Sequence, residues 1–433
     1  MIRFKRQSNG ALRLPVKLKR CGAGASDYNA PTVLPERLSF TERGPMERMR
    51  IIGAVGVGIV TLWAAAGDDG LGRAQSVQVP IFEYDPTFPR PMREDWAIGP
   101  IGGLAVDRQD HLFVVQRPGA LASNERFTGS DDTPPKADCC IPAPPVIEFD
   151  QAGTLVNSWG GPGPGYDWPQ SEHGVFVDQK DIVWLAGNGD KDHQLLTFTK
   201  QGKFLRQFGK AGMSKGNADT ANMRGPANLV VDPASNEVYV ADGYGNRRVI
   251  VLDANTFAFK RMWGAYGNRP SDMDLGPYDP DAPPAQQFRL PHNISITRDG
   301  FVYVADRPNN RIQVFRKDGT FVKEAFISKR TLLAGAASGF ALSADPEQRF
   351  LYMIDGANHH VWILNRNTLQ VIARFGQQGL WGGSLNVPHA IAVDSKGNIY
   401  IGENFDARRF QRFLFKGLGT PKPGTIPLTT LVR

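Results

Sequence analysis

Three of the chain's seven histidines stand in one repeating context. His173 lies in SEHGVFVD, His292 in LPHNISIT and His389 in VPHAIAVD. Aligned on the terminal Val-Asp or its equivalent, the other copies of this segment carry Gly102, Ala227 and Ser338 at the same position. The histidine copies alternate with the others, as the second, fourth and sixth of six. In a ring of six units, alternate members are a third of a turn apart, so three imidazoles can converge on the axis. Three imidazoles with an open fourth position are the ligand set of a catalytic zinc ion. A lone His at a strand start is ordinarily a polar residue with a hydrogen-bond partner, and it is the symmetric register that favours metal. Imidazole also suits copper and iron, so residue type only weakly selects zinc. His111, His193, His359 and His360 fall elsewhere in the unit and read as surface residues.

A second register holds Arg117, Asn188, Tyr244 (one residue further on), Arg307, Gly356 and Asn404. Two guanidinium groups beside a metal suit an anionic, oxygen-rich substrate, since Arg can clamp a carboxylate through two parallel hydrogen bonds. A tyrosine near a divalent cation can serve as a base. The competing role for Arg307, shared with Arg311, is to brace a turn through Asp306.

These residues are positioned by a repeat that starts at Gly99. Each unit is a short apolar strand, a Gly-containing turn, an aromatic-rich strand, a third strand, and a fourth that often ends in Trp-Gly or Phe-Gly. The second strands read LFVVQR, IVWLAGN, VYVADGY, VYVADR, LYMIDG and IYIGEN. Alternating apolar residues bounded by Gly, Asn and Asp are strand signals. Units of four strands and ~50–65 residues mark a β-propeller. The expected fold is therefore all-β, a six-bladed propeller over residues 77–420. The sixth unit lacks a fourth strand, and the alternating segment Val77–Tyr84 is expected to supply it and close the ring.

Composition narrows the function classes. The chain carries 50 Lys+Arg against 43 Asp+Glu, a formal +7 that suggests a polyanion partner. Residues 1–50 hold 11 of the basic and 4 of the acidic residues, so the remainder carries 39 of each. Residues 1–45 read as a basic extension outside the mature protein. Residues 46–76 read as a signal peptide and linker, with Met46-Glu-Arg-Met-Arg50, an apolar run from Ile51 to Ala66 and small residues at its end. A secreted or periplasmic monomer follows, with no nucleic-acid partner, no lasting membrane span and a C-terminal tail over 421–433. Three cysteines give no disulfide framework, and the pair Cys139-Cys140 reads as two loop thiols rather than a vicinal bridge. The insert from Ala120 to Pro145 is either a lid over the mouth or a long loop.

The general repeat resembles the NHL type. Within that type, VADGYGNRR, LPHNISI followed by VADRPNNRIQVF, VPHAIAVD, EHGVFVD, and IGGLAVD followed by FVVQR occur in the order seen in peptidyl-α-hydroxyglycine α-amidating lyases. From Gly99 to Phe415 the chain resembles that family. The resemblance implies zinc on His173, His292 and His389, a catalytic Tyr244, a substrate-binding Arg117, an active-site Arg307, and calcium on the backbone carbonyls of Leu104 and Val175. The implied reaction splits an N-acyl-α-hydroxyglycine, a small-molecule or peptide substrate with a carboxylate, into an amide and glyoxylate. Three positions depart from the family: an Asp after the last His is Ala390 here, a Cys after the Tyr is Gly245, and a Met before the last Pro-His is Val387. Two other readings fit the fold. One is a catalytically silent propeller binding a protein or glycan, and the other a metal-dependent hydrolase or lactonase.

Overall fold

Along Glu237–Asp242, the second strand of the third repeat, every residue is buried. Both of its faces are covered. Val238 and Val240 join a cluster with Trp184 and Leu195 of the preceding repeat, whereas Tyr239 and Ala241 cluster with Ile294 and Val304 of the next. Successive side chains of a strand point to opposite faces, so a sheet standing between two others reads as a near-continuous apolar run.

The computed structural model describes residues 78–126, 134, 136–421 and 431–432. The basic extension and signal peptide expected before residue 77 lie outside the described residues. Among these residues six antiparallel sheets form the blades of a propeller. The first blade is Ile101–Val106, Leu112–Gln116, Val146–Phe149 and Leu155–Trp159, and the same order recurs around the ring. Six apolar clusters fill the interfaces, one for each pair of neighbouring blades. The sixth blade contains Pro388–Val393, Ile399–Glu403 and Phe410–Gly419, and its outer strand is the N-terminal Val79–Asp85. That strand pairs antiparallel with the third, from Val79 opposite Gly419 to Asp85 opposite Arg412. Closure by strands from both chain ends removes the open seam of the ring. The tail also contributes, since Leu431 and Val432 pair with Phe326 and Ala325 as a fifth strand on blade four. No helix among the described residues is long and apolar enough to cross a membrane.

Buried ion pairs hold the turns on the side of the ring where the first strands begin. Asp242 and Arg248 are both fully buried, with Arg248 Nε donating to Asp242 Oδ2 at 2.9 Å. The remaining Arg248 donors reach the carbonyls of Asn217, Asp219 and Asn222, so one side chain ties the loop between blades two and three to the turn after Asp242. Arg311 does the same in blade four, binding Asp306 at 2.9 Å and the Gln287 carbonyl. Removing one partner of such a pair leaves an uncompensated buried charge. Arg248→Met is therefore expected to lose about 3–5 kcal/mol of stability, read from the urea midpoint. A loss under about 1 kcal/mol would mean that Asp242 finds another counter-charge.

Three sequence expectations are corrected. Cys139 and Cys140 are not free thiols but are joined by a disulfide; local backbone conformation, which composition does not record, decides whether neighbours can bond. His193 and His360 are buried, not on the surface. His193 accepts a hydrogen bond from the Ser214 N–H and approaches the Asp190 carbonyl, so it braces a loop. His360 packs edge-on against Trp362, and burial pushes its imidazole down to about 4. His193 is covered by the loop that carries Ser214, and His360 by its packing on Trp362.

Candidate metal centre

Five of the six first strands enter the sheet through an irregularity. The pairing with the second strand skips a position at Gly102 in blade one, Ala227 in blade three, His292 in blade four and His389 in blade six. In blade two the skip spans His173 and Gly174. A β-bulge leaves its extra residue out of the ladder and re-aims its side chain. In these five blades the position that alternates between His and a small residue is thus the bulged one, and the three histidines line the channel.

The three bulged histidines meet. Their ring centroids lie 4.7–5.2 Å apart, and one nitrogen from each falls within 4.8 Å of the others. All three are buried, at 2–5% exposure. His173 Nδ1 lies 2.7 Å from the carbonyl of Ala227, and His292 Nδ1 bonds the carbonyl of Ser338, in each case on the next blade. A carbonyl only accepts, so both Nδ1 atoms carry the proton and both Nε2 atoms present lone pairs. Both Nε2 atoms lie 3.0 Å from the Tyr244 hydroxyl. That hydroxyl has one proton to donate. His389 has no hydrogen-bond partner at either ring nitrogen; the Ile101 backbone is only a weak neighbour. Burial, first of all, holds all three imidazoles well below their usual range. Neutral imidazole is the form that binds metal. Two lone pairs that share one hydroxyl proton, with the unpartnered His389 beside them, leave a buried acceptor unsatisfied, and a cation can engage all three imidazoles at once. The residues fit a metal ion.

Tyr244 owes its place to Gly225. Its N–H donates to the Gly225 carbonyl at 3.0 Å, and a Cβ on Gly225 would stand 2.7 Å from that of Tyr244. Gly225 also has φ +65°, where glycine costs least.

Arg117 Nε donates to the Glu172 carbonyl at 2.7 Å, and its Nη1 reaches Asn404 Oδ1 at 3.5 Å. Nη2 is buried with no partner. Burial lowers the Arg117 guanidinium, countered by Tyr244 and Glu172. Arg307 Nε is likewise buried and unpartnered. The brace through Asp306 is made by Arg311 and not by Arg307. Both Arg117 and Arg307 act electrostatically on His292 and His389, so the mouth is cationic. Asn188 Oδ1 accepts from Ser171 Oγ, and Gly356 N–H reaches Ser338 Oγ.

Beneath the histidines lies a cavity of about 20 Å³, lined among others by Leu104, Val175, Asn228, Asn293 and Ala390. Its lining has no carboxylate, whereas calcium sites take six to eight oxygens, commonly with acidic ligands. The calcium named for Leu104 and Val175 finds no such support here.

Sequence reasoning missed the carboxylates that fix each histidine strand. Asp192 accepts the N–H groups of Gln170 and Ser171, just before His173. Asp306 accepts those of Arg289 and Leu290, before His292. Glu403 accepts that of Asn386, before His389. Burial raises Asp192 and Glu403. The acids that close VYVADR and IYIGEN were a legible signal for two of them.

The NHL repeat family matches residues 288–315, the stretch that carries His292 and Arg307. Peptidyl-glycine alpha-amidating monooxygenase A of Xenopus laevis is 23% identical over 71% of this chain and 31% of its own length. NHL repeat-containing protein 3 of Mus musculus is 29% identical over 55% of this chain and 58% of its own. A probable peptidyl-alpha-hydroxyglycine alpha-amidating lyase of Caenorhabditis elegans is 22% identical over 75% of this chain and 85% of its own. The chain spans about a third of the length of the frog enzyme and little over half that of the mouse protein. It is a six-bladed propeller with an NHL-repeat match over residues 288–315 and distant relatives among the peptide-amidating enzymes.

Proposed function

We propose that the protein is a zinc-dependent, exported carbon–nitrogen lyase that cleaves an N-acyl-α-hydroxyglycine to an amide and glyoxylate. One observation carries the reading: three buried imidazoles converge on one point, beneath a phenol hydroxyl and beside two guanidinium groups with unspent donors. Zinc held by His173, His292 and His389 would supply Lewis acidity toward the substrate's α-hydroxyl oxygen. The rest of the chemistry belongs to the chain. Arg117, through Nη2, and Arg307, through Nε, bind and orient the carboxylate. Tyr244 Oη, as the phenolate, takes the α-hydroxyl proton and passes it to the departing amide nitrogen. The C–N bond breaks as the carbinol carbon becomes the aldehyde of glyoxylate, and the atoms balance without water or an oxidant. The distant relationship to amidating enzymes supports the same reaction. A silent binding platform gives no reason to bury three histidines with unsatisfied acceptors.

Incubation with α-hydroxyhippurate tests the reading. Glyoxylate and benzamide are expected in equal amounts, with about one zinc per chain by elemental analysis. Zinc without glyoxylate would leave the metal centre and remove the reaction, and metal-free protein would remove both.

A further inference from the structure

A cleft of about 630 Å³ runs between blades five and six on the flank of the ring. It lies where Val371–Phe375, the outer strand of blade five, faces the N-terminal strand Val79–Asp85. The N-terminal strand is irregular there. Its pairing with Phe410–Gly419 shifts between Pro80 and Phe82, so Ile81 stands out of the ladder. Bulges collect at sheet edges and beside functional sites. The volume falls within the range of small-molecule sites, about 300–1,000 Å³. The cleft shares no lining residue with the cavity beneath the histidines.

Its walls are apolar and partly aromatic. Val79, Ile81 and Phe82 line it from the N-terminal strand, and Ala373 and Phe375 from blade five. The Phe82 ring is held in place, 5.4 Å from the ring of Tyr352 and 5.2 Å from that of Phe375. The polar lining is one-sided in charge, since it contains Arg374 and no carboxylate. Burial keeps the His360 imidazole uncharged at neutral pH. Asn358 spends its amide protons on Asp355 and Thr331. Arg374 is placed differently. Its guanidinium lies 5.6 Å from the centroid of the Trp362 ring, which orients it. Among the described residues the Arg374 side chain makes no hydrogen bond and no ion pair, so its donors remain for a ligand.

We propose that this cleft is a second binding site, apart from the metal centre, for a flat aromatic carboxylate whose anionic group pairs with Arg374. Charge complementarity selects the anion, because the lining offers one cation and no opposing acid. The Phe82 and Phe375 rings select the body. A rigid ring system buries much apolar area in a slot between two strands and gives up little rotamer freedom in doing so. The assignment does not depend on the proposed lyase reaction.

Calorimetry with naphthalene-2-carboxylate and naphthalene-2-carboxamide, which share the ring system and differ in charge, tests the site. The carboxylate is expected to bind wild type at least about tenfold more tightly than the amide. Arg374→Gln should erase that difference, and Arg374→Lys should restore part of it. Arg374 is exposed, so both variants should fold as wild type does. A difference that survives in Arg374→Gln would put the anion elsewhere, at Arg117 and Arg307 for instance, and overturn the cleft. Equal binding of the two compounds to wild type would overturn the choice of an anion. Wild type that binds neither would overturn the site outright, and sedimentation that then speeds up with concentration would give the cleft to a second copy of the chain. None of these results bears on glyoxylate release, which uses none of the cleft residues.

Discussion

The His292→Ala protein is expected to purify with its metal largely gone, its affinity down at least about a hundredfold, while the ring stays folded. His292 supplies one of the three converging nitrogens and is 2% exposed. Its loss leaves two imidazoles, too few to hold a tetrahedral ion with an open position. The fold should survive because the six inter-blade clusters contain none of the three histidines. The cost is local: the Ser338 carbonyl loses its donor, worth about 1–3 kcal/mol. Bound metal stabilises the folded state in proportion to the logarithm of its concentration over Kd. Wild type should therefore melt measurably lower after chelation (at most about 2–4 °C per kcal/mol, since a domain this large shifts less than a small one), and His292→Ala should not respond. Elemental analysis gives the direct count. A variant that keeps one metal per chain would place the ion away from these histidines.

Tyr244→Phe separates metal binding from proton transfer. Oη lies 3.0 Å from Nε2 of both His173 and His292, so it stands over the point where a substrate hydroxyl would meet the ion. Phenylalanine keeps the ring, whose packing beside His173 and His292 is edge-on. The variant should keep its metal and its KM, while kcat for glyoxylate release falls by about 10²–10⁴. Activity within about tenfold of wild type would remove Tyr244 as the proton carrier. Loss of metal would instead make Oη a ligand.

The two variants draw on different layers of information. The histidine register was legible because it lies inside a repeat, and a repeat shows in any aligned copy. So were the six second strands, whose apolar runs reflect burial on both faces. The bulge was not legible, since Pro-His-Asn and Pro-Ala-Asn do not say that the middle residue leaves the ladder. Nor was the burial of His193 and His360, which depends on packing against Ser214 and Trp362. Arg307 and Arg311 looked interchangeable as turn braces. Only the packing around Asp306 assigned that work to Arg311 and left Arg307 free.

Periodicity, composition and turn residues act over a few neighbours, and they determined the strands, the number of units and the alternation of His with small residues. Convergence of the imidazoles depends on a contact between residues more than three hundred positions apart. Val79–Asp85 must pair with Phe410–Gly419 before the ring closes and alternate blades face one another across the channel. Only the closed tertiary structure aims His173, His292 and His389 at one point under Tyr244. No single repeat carries that information, because each contributes at most one of the three nitrogens.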